Sequence, residues 1–260
     1  MRRGYITAGH GQLHFRCNAQ RPGIPLVLLH QSPSDSRMYE KLMAELDDDF
    51  WMIAPDSPGF GNSDPLPRGF SLAGCADAIL SLLDHLQLSQ CFLFGHHTGA
   101  SVAVQMAARN PSRFRALALS GPTLLDDTLK AALPAKAAPF PEAADGSHLQ
   151  SMWQRMAAKE ADAPPALLLR EVTAAMASGP AYAQAYAAVA EQDFAGQLQQ
   201  LDMPTLVFAG TADILYHCLE PSYRLLRNGQ MSEIEGAGSY VCDRQPVEVA
   251  RLLRGFFGDD

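Results

Sequence analysis

Short runs of apolar residues alternate along the chain with longer segments of helical periodicity. Runs this short, bounded by Gly, Pro or Asp, are typical of strands buried on both faces of a sheet. Alternation of strands and helices predicts an α/β fold, in which a mostly parallel central sheet carries helices on both faces. The predicted strands are residues 25–30, 50–54, 90–95, 114–120, 205–210 and 230–234.

Between these strands, apolar residues recur at intervals of three and four, the spacing of one face of a helix. Two short segments near the start, residues 5–7 and 11–18, predict a hairpin that pairs at the edge of the sheet. The predicted helices are residues 38–46, 71–86, 99–108, 221–227 and 246–257.

Residues 123–199 break this alternation, because they contain helical patterns and no strand pattern. The segment is rich in Ala, Pro, Gln and Met, and amphipathic helices are predicted at residues 148–160, 165–177 and 181–192. We expect a helical insertion between two strands, with residues 1–122 and 200–260 forming the α/β core. A flexible Ala/Pro linker is the alternative interpretation.

The amino-acid composition indicates a globular protein that does not bind nucleic acid. With 260 residues, of which 47% are hydrophobic and 18% charged, the chain has enough apolar material for a sizeable core. The formal charge is −8, and no cluster of Lys and Arg could follow a phosphate backbone, so no nucleic-acid partner is expected.

No apolar run reaches the roughly 20 residues that span a bilayer, so no membrane association is expected. Arg2 and Arg3 are followed by His10, His14 and Arg16 rather than by an apolar signal core, and no secretory signal is expected. The five cysteines are odd in number, widely spaced and form no Cys-x-x-Cys pair. They indicate thiols in a reducing compartment, and therefore a cytoplasmic protein, rather than a disulfide framework or a zinc site.

The strand at residues 90–95 runs into Gly95-His96-His97-Thr98-Gly99, after which a helical pattern begins. A sharp strand-to-helix turn forces its central residue into strained backbone angles and crowds the residues on either side, so small neighbours are needed. The pattern Gly-x-X-x-Gly is that of a nucleophile elbow, whose middle side chain stands exposed above the sheet. That middle residue is His97.

Other motifs follow in the order found in the α/β-hydrolase family. Residues 30–33, His-Gln-Ser-Pro, resemble the family's His-Gly-x-Pro oxyanion loop, and residues 56–64 resemble its Asp-x-Pro-Gly-x-Gly-x-Ser segment. Asp213 follows a late strand, and residues 236–240 are similar to the family's Gly-x-Gly-His segment. The chain thus resembles an α/β hydrolase over nearly its whole length, and the helical insertion resembles the family's cap.

This resemblance implies an active site with an atypical catalytic triad. His97 occupies the position of the family's serine, and Ser239 occupies the position of its histidine. Asp213 stands at the position of the family's acid. The backbone N–H groups of Ser32 and Thr98 would face a developing oxyanion. Gln31 stands where the family has glycine and is assigned to the same substrate-binding loop.

Four interpretations are compatible with a histidine at position 97 and a serine at position 239. His97 could be a general base that activates water or removes a substrate proton, since free imidazole has a pKa of about 6.5. Ser239 could be the nucleophile with His97 as its base, which needs the two side chains within about 3 Å. His97 could itself attack and form an acyl-imidazole. Lastly, the site could bind a ligand without reaction.

The resemblance therefore implies a hydrolase acting on a small apolar ester or other carbonyl compound. Two alternatives remain open: a cofactor-free lyase, decarboxylase or isomerase that uses His97 for proton transfer, and a catalytically inactive ligand-binding protein. The expected partner is a small-molecule substrate. No cofactor motif is present, so no cofactor is expected. The sequence does not determine the oligomeric state, and a homodimer is compatible with it.

Three other histidines need an interpretation. We expect His96 and His30 to have structural roles, whereas His217 could enter the pocket or simply begin the next helix. No metal site is expected at His96 and His97, because no third ligand stands at a recognisable spacing.

Overall fold

A computed structural model describes residues 1–258. Within that range, eight strands form one sheet in the spatial order β1-β2-β4-β3-β5-β6-β7-β8. The first two strands form an antiparallel hairpin at one edge, and all strands from the third onwards pair in parallel. The strands are β1 (Arg2–Ala8), β2 (Gly11–Cys17), β3 (Leu26–Leu29), β4 (Met52–Pro55), β5 (Cys91–His96), β6 (Phe114–Ser120), β7 (Thr205–Gly210) and β8 (Gly229–Ile234).

The central strands carry apolar residues on both faces because helices cover both faces. Every residue of β3, β4, β5 and β7 is buried, whereas the edge strands β1 and β8 are mostly exposed or half-buried. This arrangement confirms the predicted α/β fold with its mostly parallel sheet and its edge hairpin.

Helices form a layer on each side of the sheet. One layer comes mainly from α2, α3, α8 and α9, and the other from α1, α10 and α11. No helix within residues 1–258 is long and apolar enough to cross a membrane. The helices are α1 (Glu40–Glu45), α2 (Leu72–His85), α3 (Thr98–Arg109), α4 (Asp127–Lys136), α5 (Ser147–Ala157), α6 (Pro165–Ala177), α7 (Pro180–Glu191), α8 (Phe194–Gln199), α9 (Leu219–Leu225), α10 (Val241–Arg244) and α11 (Pro246–Phe257).

Local sequence explains where several helices begin. The side chain of Ser71 accepts a hydrogen bond from the N–H of Gly74 at the start of α2, and Asp126 caps α4 through the N–H of Leu129. Proline occupies the first turn of α6, α7 and α11, where its missing N–H costs no helical hydrogen bond.

The segment between β6 and β7 holds α4 to α8 and, throughout residues 121–204, no strand. We call this segment the helical insertion. It is joined to the core by ion pairs with two successive residues of α10. Arg170 of the insertion donates two hydrogen bonds to Asp243, both 2.6 Å long. The next residue, Arg244, pairs with Glu160 and, at 2.7 Å, with Asp162.

Close backbone contact sets the position of α3 against the sheet. A Cβ on Gly95 would collide with the carbonyl oxygen of Gly99, and a Cβ on Gly99 would collide with the carbonyl oxygen of Leu29 in β3. Backbone atoms cannot move aside as a flexible side chain can. The turn from β5 into α3 therefore requires glycine at both positions, as the sequence predicts.

We expect Gly99→Ala to lower the free energy of unfolding by about 1–3 kcal/mol, because the added methyl overpacks a rigid backbone contact. Gly255 in α11 provides a matched control, since a Cβ there meets no atom within 4 Å. Gly255→Ala should raise the free energy of unfolding by about 0.5–1 kcal/mol through the lower backbone entropy of the unfolded chain. Urea unfolding measures both changes, and a Gly99→Ala variant as stable as the natural protein would contradict this account of the turn.

Candidate active site

His97 lies at the turn between β5 and α3, on a backbone that few residues other than glycine adopt. Its φ is 50° and its ψ is −114°. The His97 N–H donates to the carbonyl oxygen of Ser120 over 2.9 Å, which fixes the turn to β6. A Cβ on Gly121 would collide with the imidazole ring, so the ring lies directly against the start of the helical insertion.

The imidazole of His97 is paired with Asp213. Its Nε2 lies 2.9 Å from Oδ2 and 3.1 Å from Oδ1 of the carboxylate, which follows β7. The N–H of Leu215 donates to Oδ1 over 2.7 Å. Burial alone would raise the pKa of Asp213, but the nearby charge and hydrogen bond of His97 outweigh it and lower the pKa to about 2. Asp213 is therefore ionised at any pH at which the protein would work.

This pairing determines which nitrogen of His97 carries the proton in the neutral ring. An ionised carboxylate only accepts hydrogen bonds, so Nε2 is the N–H donor. The other nitrogen, Nδ1, has no hydrogen-bond partner among residues 1–258, is not fully enclosed, and belongs to a side chain that lines a cavity. Nδ1 is therefore a hydrogen-bond acceptor that no described residue uses.

His96 has a structural role, in line with the sequence prediction. It is fully buried, and its Nε2 donates to the carbonyl oxygen of Ser239 over 2.9 Å while its Nδ1 accepts from the hydroxyl of Ser120 over 3.0 Å. Its ring stacks on that of His97 with a centroid distance of 4.0 Å. Burial, reinforced by repulsion from His97, lowers the pKa of His96 to about 3, so the ring stays neutral.

Ser239 is not joined to the pair formed by His97 and Asp213. Its side chain is completely buried, and its Oγ finds no hydrogen-bond partner in the described part of the chain. Only its carbonyl oxygen is used, as the acceptor for His96. The structure thus brings two of the three predicted triad positions together, and it shows no hydrogen bond between Ser239 and His97 that a reversed nucleophile–base pair would need.

The loop that follows β3 reaches the same cavity. Ser32 and Thr98 both line it, and their backbone N–H groups donate to no acceptor within the residues described. His30 braces this loop: its Nε2 accepts from the N–H of Ser57 over 2.8 Å, and its Nδ1 donates to the carbonyl oxygen of Gln31 over 2.7 Å. The predicted structural role of His30 follows from these two bonds.

Gln31 lies on the same loop but behind the cavity. Only 1% of the residue is exposed, and neither its amide nitrogen nor its amide oxygen has a hydrogen-bond partner among the described residues. Its side chain is not part of the cavity wall at His97.

The cavity over His97 is narrow, with a volume of about 70 Å³. Its walls come mostly from the helical insertion, and three of these residues lie on α4, a helix that the sequence interpretation did not predict. The signal was present in part, because Leu125, Leu129 and Leu133 recur every four residues, but Pro134 and the surrounding alanines obscured it. The lining residues are Ser32, His97, Thr98, Thr123, Leu125, Leu129, Leu133, Lys136, Tyr186, Val189, Ile214 and Leu215.

Potential metal ligands also meet at this point. One ligand atom from each of His96, His97 and Asp213 lies within 4.8 Å of the others. Both nitrogens of His96 are already hydrogen bonded, and Nε2 of His97 is bonded to Asp213. A metal ion would have to replace these hydrogen bonds, so the arrangement fits a hydrogen-bonded base better than a metal centre.

His217, left open by the sequence, does not enter the cavity. It is exposed in a short 3-10 turn before α9, and its Nε2 lies 3.4 Å from the Sγ of Cys218. The site therefore has a single reactive imidazole, that of His97, among the residues lining the cavity.

Comparisons with known proteins agree with this geometry. The sequence profile of a family described as alpha/beta hydrolase fold matches residues 24–238. A haloalkane dehalogenase of Psychrobacter cryohalolentis is 34% identical over 117 residues, which cover 44% of this chain and 38% of that protein. A soluble epoxide hydrolase of a Corynebacterium species is 33% identical over 106 residues, covering 41% of this chain and 33% of that protein.

A similar structure spans the whole chain. A thermophilic esterase from Thermogutta terrifontis superposes with a TM-score of 0.83 at 26% identity, covering 100% of this chain and 99% of that one. The sequence matches, in contrast, span little more than a third of the curated relatives' own length. The profile match, the sheet and the turn at His97 together lead to one conclusion: the chain belongs to the α/β-hydrolase fold family.

Proposed function

We propose that this protein hydrolyses a small, apolar ester, with His97 as the general base. The observation that carries the proposal is the hydrogen bond between Nε2 of His97 and Asp213, which leaves Nδ1 without a protein partner on a residue that lines the cavity. A carboxylate that fixes the ring and its protonation state is the usual way to prepare a histidine for proton transfer. The hydrolytic relatives, an epoxide hydrolase and an esterase by name, support a reaction with water.

Water is the attacking group in this proposal, because His97 occupies the central position of the elbow and supplies no hydroxyl or thiol to attack in its place. Nδ1 of His97 removes a proton from a water molecule as its oxygen bonds to the ester carbonyl carbon. The carbonyl π electrons move to the oxygen, which becomes an oxyanion. When the tetrahedral intermediate collapses, the carbon–oxygen bond to the alcohol breaks, and the imidazolium returns its proton to the leaving alkoxide.

The N–H groups of Ser32 and Thr98 are the proposed donors to the oxyanion. Both residues line the cavity with His97, and neither N–H is used by a protein acceptor in the described range. Thr98 is the first residue of α3, where the helix dipole adds a partial positive charge. A donor of this kind typically contributes about 2.7–4 kcal/mol to stabilising the transition state.

The helical insertion acts as the cap in this proposal and selects the substrate. Leucine side chains of α4 and the loop before it, with Val189 of α7, supply apolar walls. Because the cavity over His97 is only about 70 Å³, a narrow, unbranched acyl chain fits better than a bulky one. A bulky substrate would require the insertion to move away from His97.

His97→Gln is expected to abolish hydrolysis of short aryl esters, because glutamine keeps a polar side chain but cannot take up a proton. Initial rates for a panel of such esters between pH 6 and 9 would measure this loss. His85→Gln, at an exposed position near the end of α2, is the matched control and should retain the natural rate. Undiminished activity in His97→Gln would exclude His97 as the base.

Asp213→Asn should lower kcat by about 10²- to 10⁴-fold, the range seen when a carboxylate that orients a catalytic histidine is neutralised. The carboxamide can donate to Nε2 and thereby stabilise the tautomer whose Nδ1 already carries a proton. Because the pKa of Asp213 is about 2, the carboxylate stays ionised from pH 4 upward. A loss of activity as the pH falls from 8 to 4 would therefore not come from protonation of Asp213.

A pH–rate profile over that range, with circular dichroism to verify folding, measures both effects. Asp202→Asn, which removes an exposed carboxylate paired with Arg227, provides the comparison. If Asp213→Asn hydrolysed esters as fast as Asp202→Asn, Asp213 would have no part in orienting His97.

A further inference from the structure

One face of α4 combines apolar side chains with a cation. Leu129, Leu133 and Lys136 all line the cavity over His97, and their spacing of four and three residues places them on one side of the helix. With a rise of about 1.5 Å per residue, Lys136 lies roughly 10 Å along the helix axis from Leu129. The wall of the cavity thus changes from apolar to positively charged toward the end of α4.

The charge of Lys136 is not neutralised by the protein. The ammonium group forms no ion pair or hydrogen bond in the part of the chain that the structure describes, and no carboxylate belongs to the cavity wall. The backbone carbonyl of Lys136 accepts a hydrogen bond from the hydroxyl of Tyr182, over 3.4 Å, which ties the end of α4 to α7. Lys136 is thus an exposed, unpaired cation on the rim of the cavity, in a protein whose formal charge is −8.

A lysine in the last turn of a helix also offsets the helix dipole, and that role alone would explain a lysine at this position. It does not explain why the same side chain borders the cavity that contains His97. An ammonium group without a partner, at one end of an otherwise apolar wall, is complementary to a ligand with an apolar chain and a terminal anion.

We propose that Lys136 binds a carboxylate at the far end of the substrate, so that the preferred substrate is a monoester of a short dicarboxylic acid. This inference rests on the proposed ester hydrolysis and specifies its substrate class. The ester carbonyl lies at His97, Ser32 and Thr98, the methylene chain contacts the leucines of α4, and the free carboxylate pairs with Lys136. Lys136 is then the residue that determines specificity.

Two 4-nitrophenyl esters with acyl chains of equal length test the proposal, namely the hexanoate and the monoester of adipate. The natural protein should show a higher kcat/KM for the adipate monoester, and Lys136→Met should lower the ratio of the two kcat/KM values by about fivefold, the loss expected for one partly exposed ion pair. Lys130→Met removes a lysine from the same helix that does not line this cavity, and it should leave the ratio unchanged. Monoesters of shorter and longer diacids would locate the optimal chain length.

Each result has a distinct meaning. If the natural protein hydrolyses both esters without preference, or if the preference survives in Lys136→Met, the role of Lys136 is wrong and the hydrolase proposal stands. An equal loss of preference in Lys130→Met would point to a general charge effect and would also overturn it.

If neither ester is hydrolysed, the proposed function fails, and binding decides the question of Lys136 separately. Hexanamide and the monoamide of adipic acid differ only in the terminal group, and ligand-observed NMR gives their affinities. If the natural protein, but not Lys136→Met, bound the monoamide of adipic acid more tightly than hexanamide, a carboxylate site would be supported. Equal binding of the two amides by the natural protein would overturn it.

Discussion

The active site depends on backbone contact at the turn from β5 into α3. Gly95 and Gly99 bring the first turn of α3 against the carbonyl oxygen of Leu29, and His97 is held between them at a positive φ. A backbone conformation of this kind costs of order 1–3 kcal/mol and persists only where the surrounding structure over-determines it. Here the parallel strands on either side of β5 provide that support, so the sheet itself determines where the imidazole projects.

Electrostatics then assign different roles to two stacked histidines. His96 and His97 lie too close for both rings to be charged, and burial keeps His96 neutral with both nitrogens in hydrogen bonds. Ionised Asp213 is hydrogen bonded to His97 and not to His96, so only the His97 ring is oriented by a carboxylate. His96, His97 and Asp213 thus form one unit, in which the neutral ring supports the reactive one and links it to the loop that carries Ser239.

The sequence predicted the sheet more completely than the site, for physical reasons. Strands such as Phe114–Ser120 and Thr205–Gly210 are short apolar runs with sharp ends, and helix Pro246–Phe257 has a strongly amphipathic pattern, so local sequence determines them. Helix Asp127–Lys136 was missed because Pro134 and small residues weaken its periodicity.

The elbow and its acid could be predicted because glycine spacing and strand order constrain them. The sequence could not show whether the side chain of Ser239 reaches that of His97. Contact between loops more than a hundred residues apart depends on side-chain packing that no local pattern records. The same applies to Gln31, which stands where the family's oxyanion loop has glycine and whose buried side chain is not part of the cavity wall. Lys136 and Tyr186 reach the cavity from the helical insertion, whose path over the sheet is set by long-range contacts with the core.

The ion pairs that two successive residues of α10 form with the helical insertion differ in how strongly dissolved salt can weaken them. The pair between Arg170 and Asp243 is largely buried, whereas Arg244 and Asp162 are substantially exposed. Dissolved ions screen exposed charges much more effectively than buried ones. Rising ionic strength would thus weaken the pair between Arg244 and Asp162, while α6 remains attached through Arg170. In concentrated salt, the connection between the insertion and α10 would depend mainly on the largely buried carboxylates of Asp243 and Glu160.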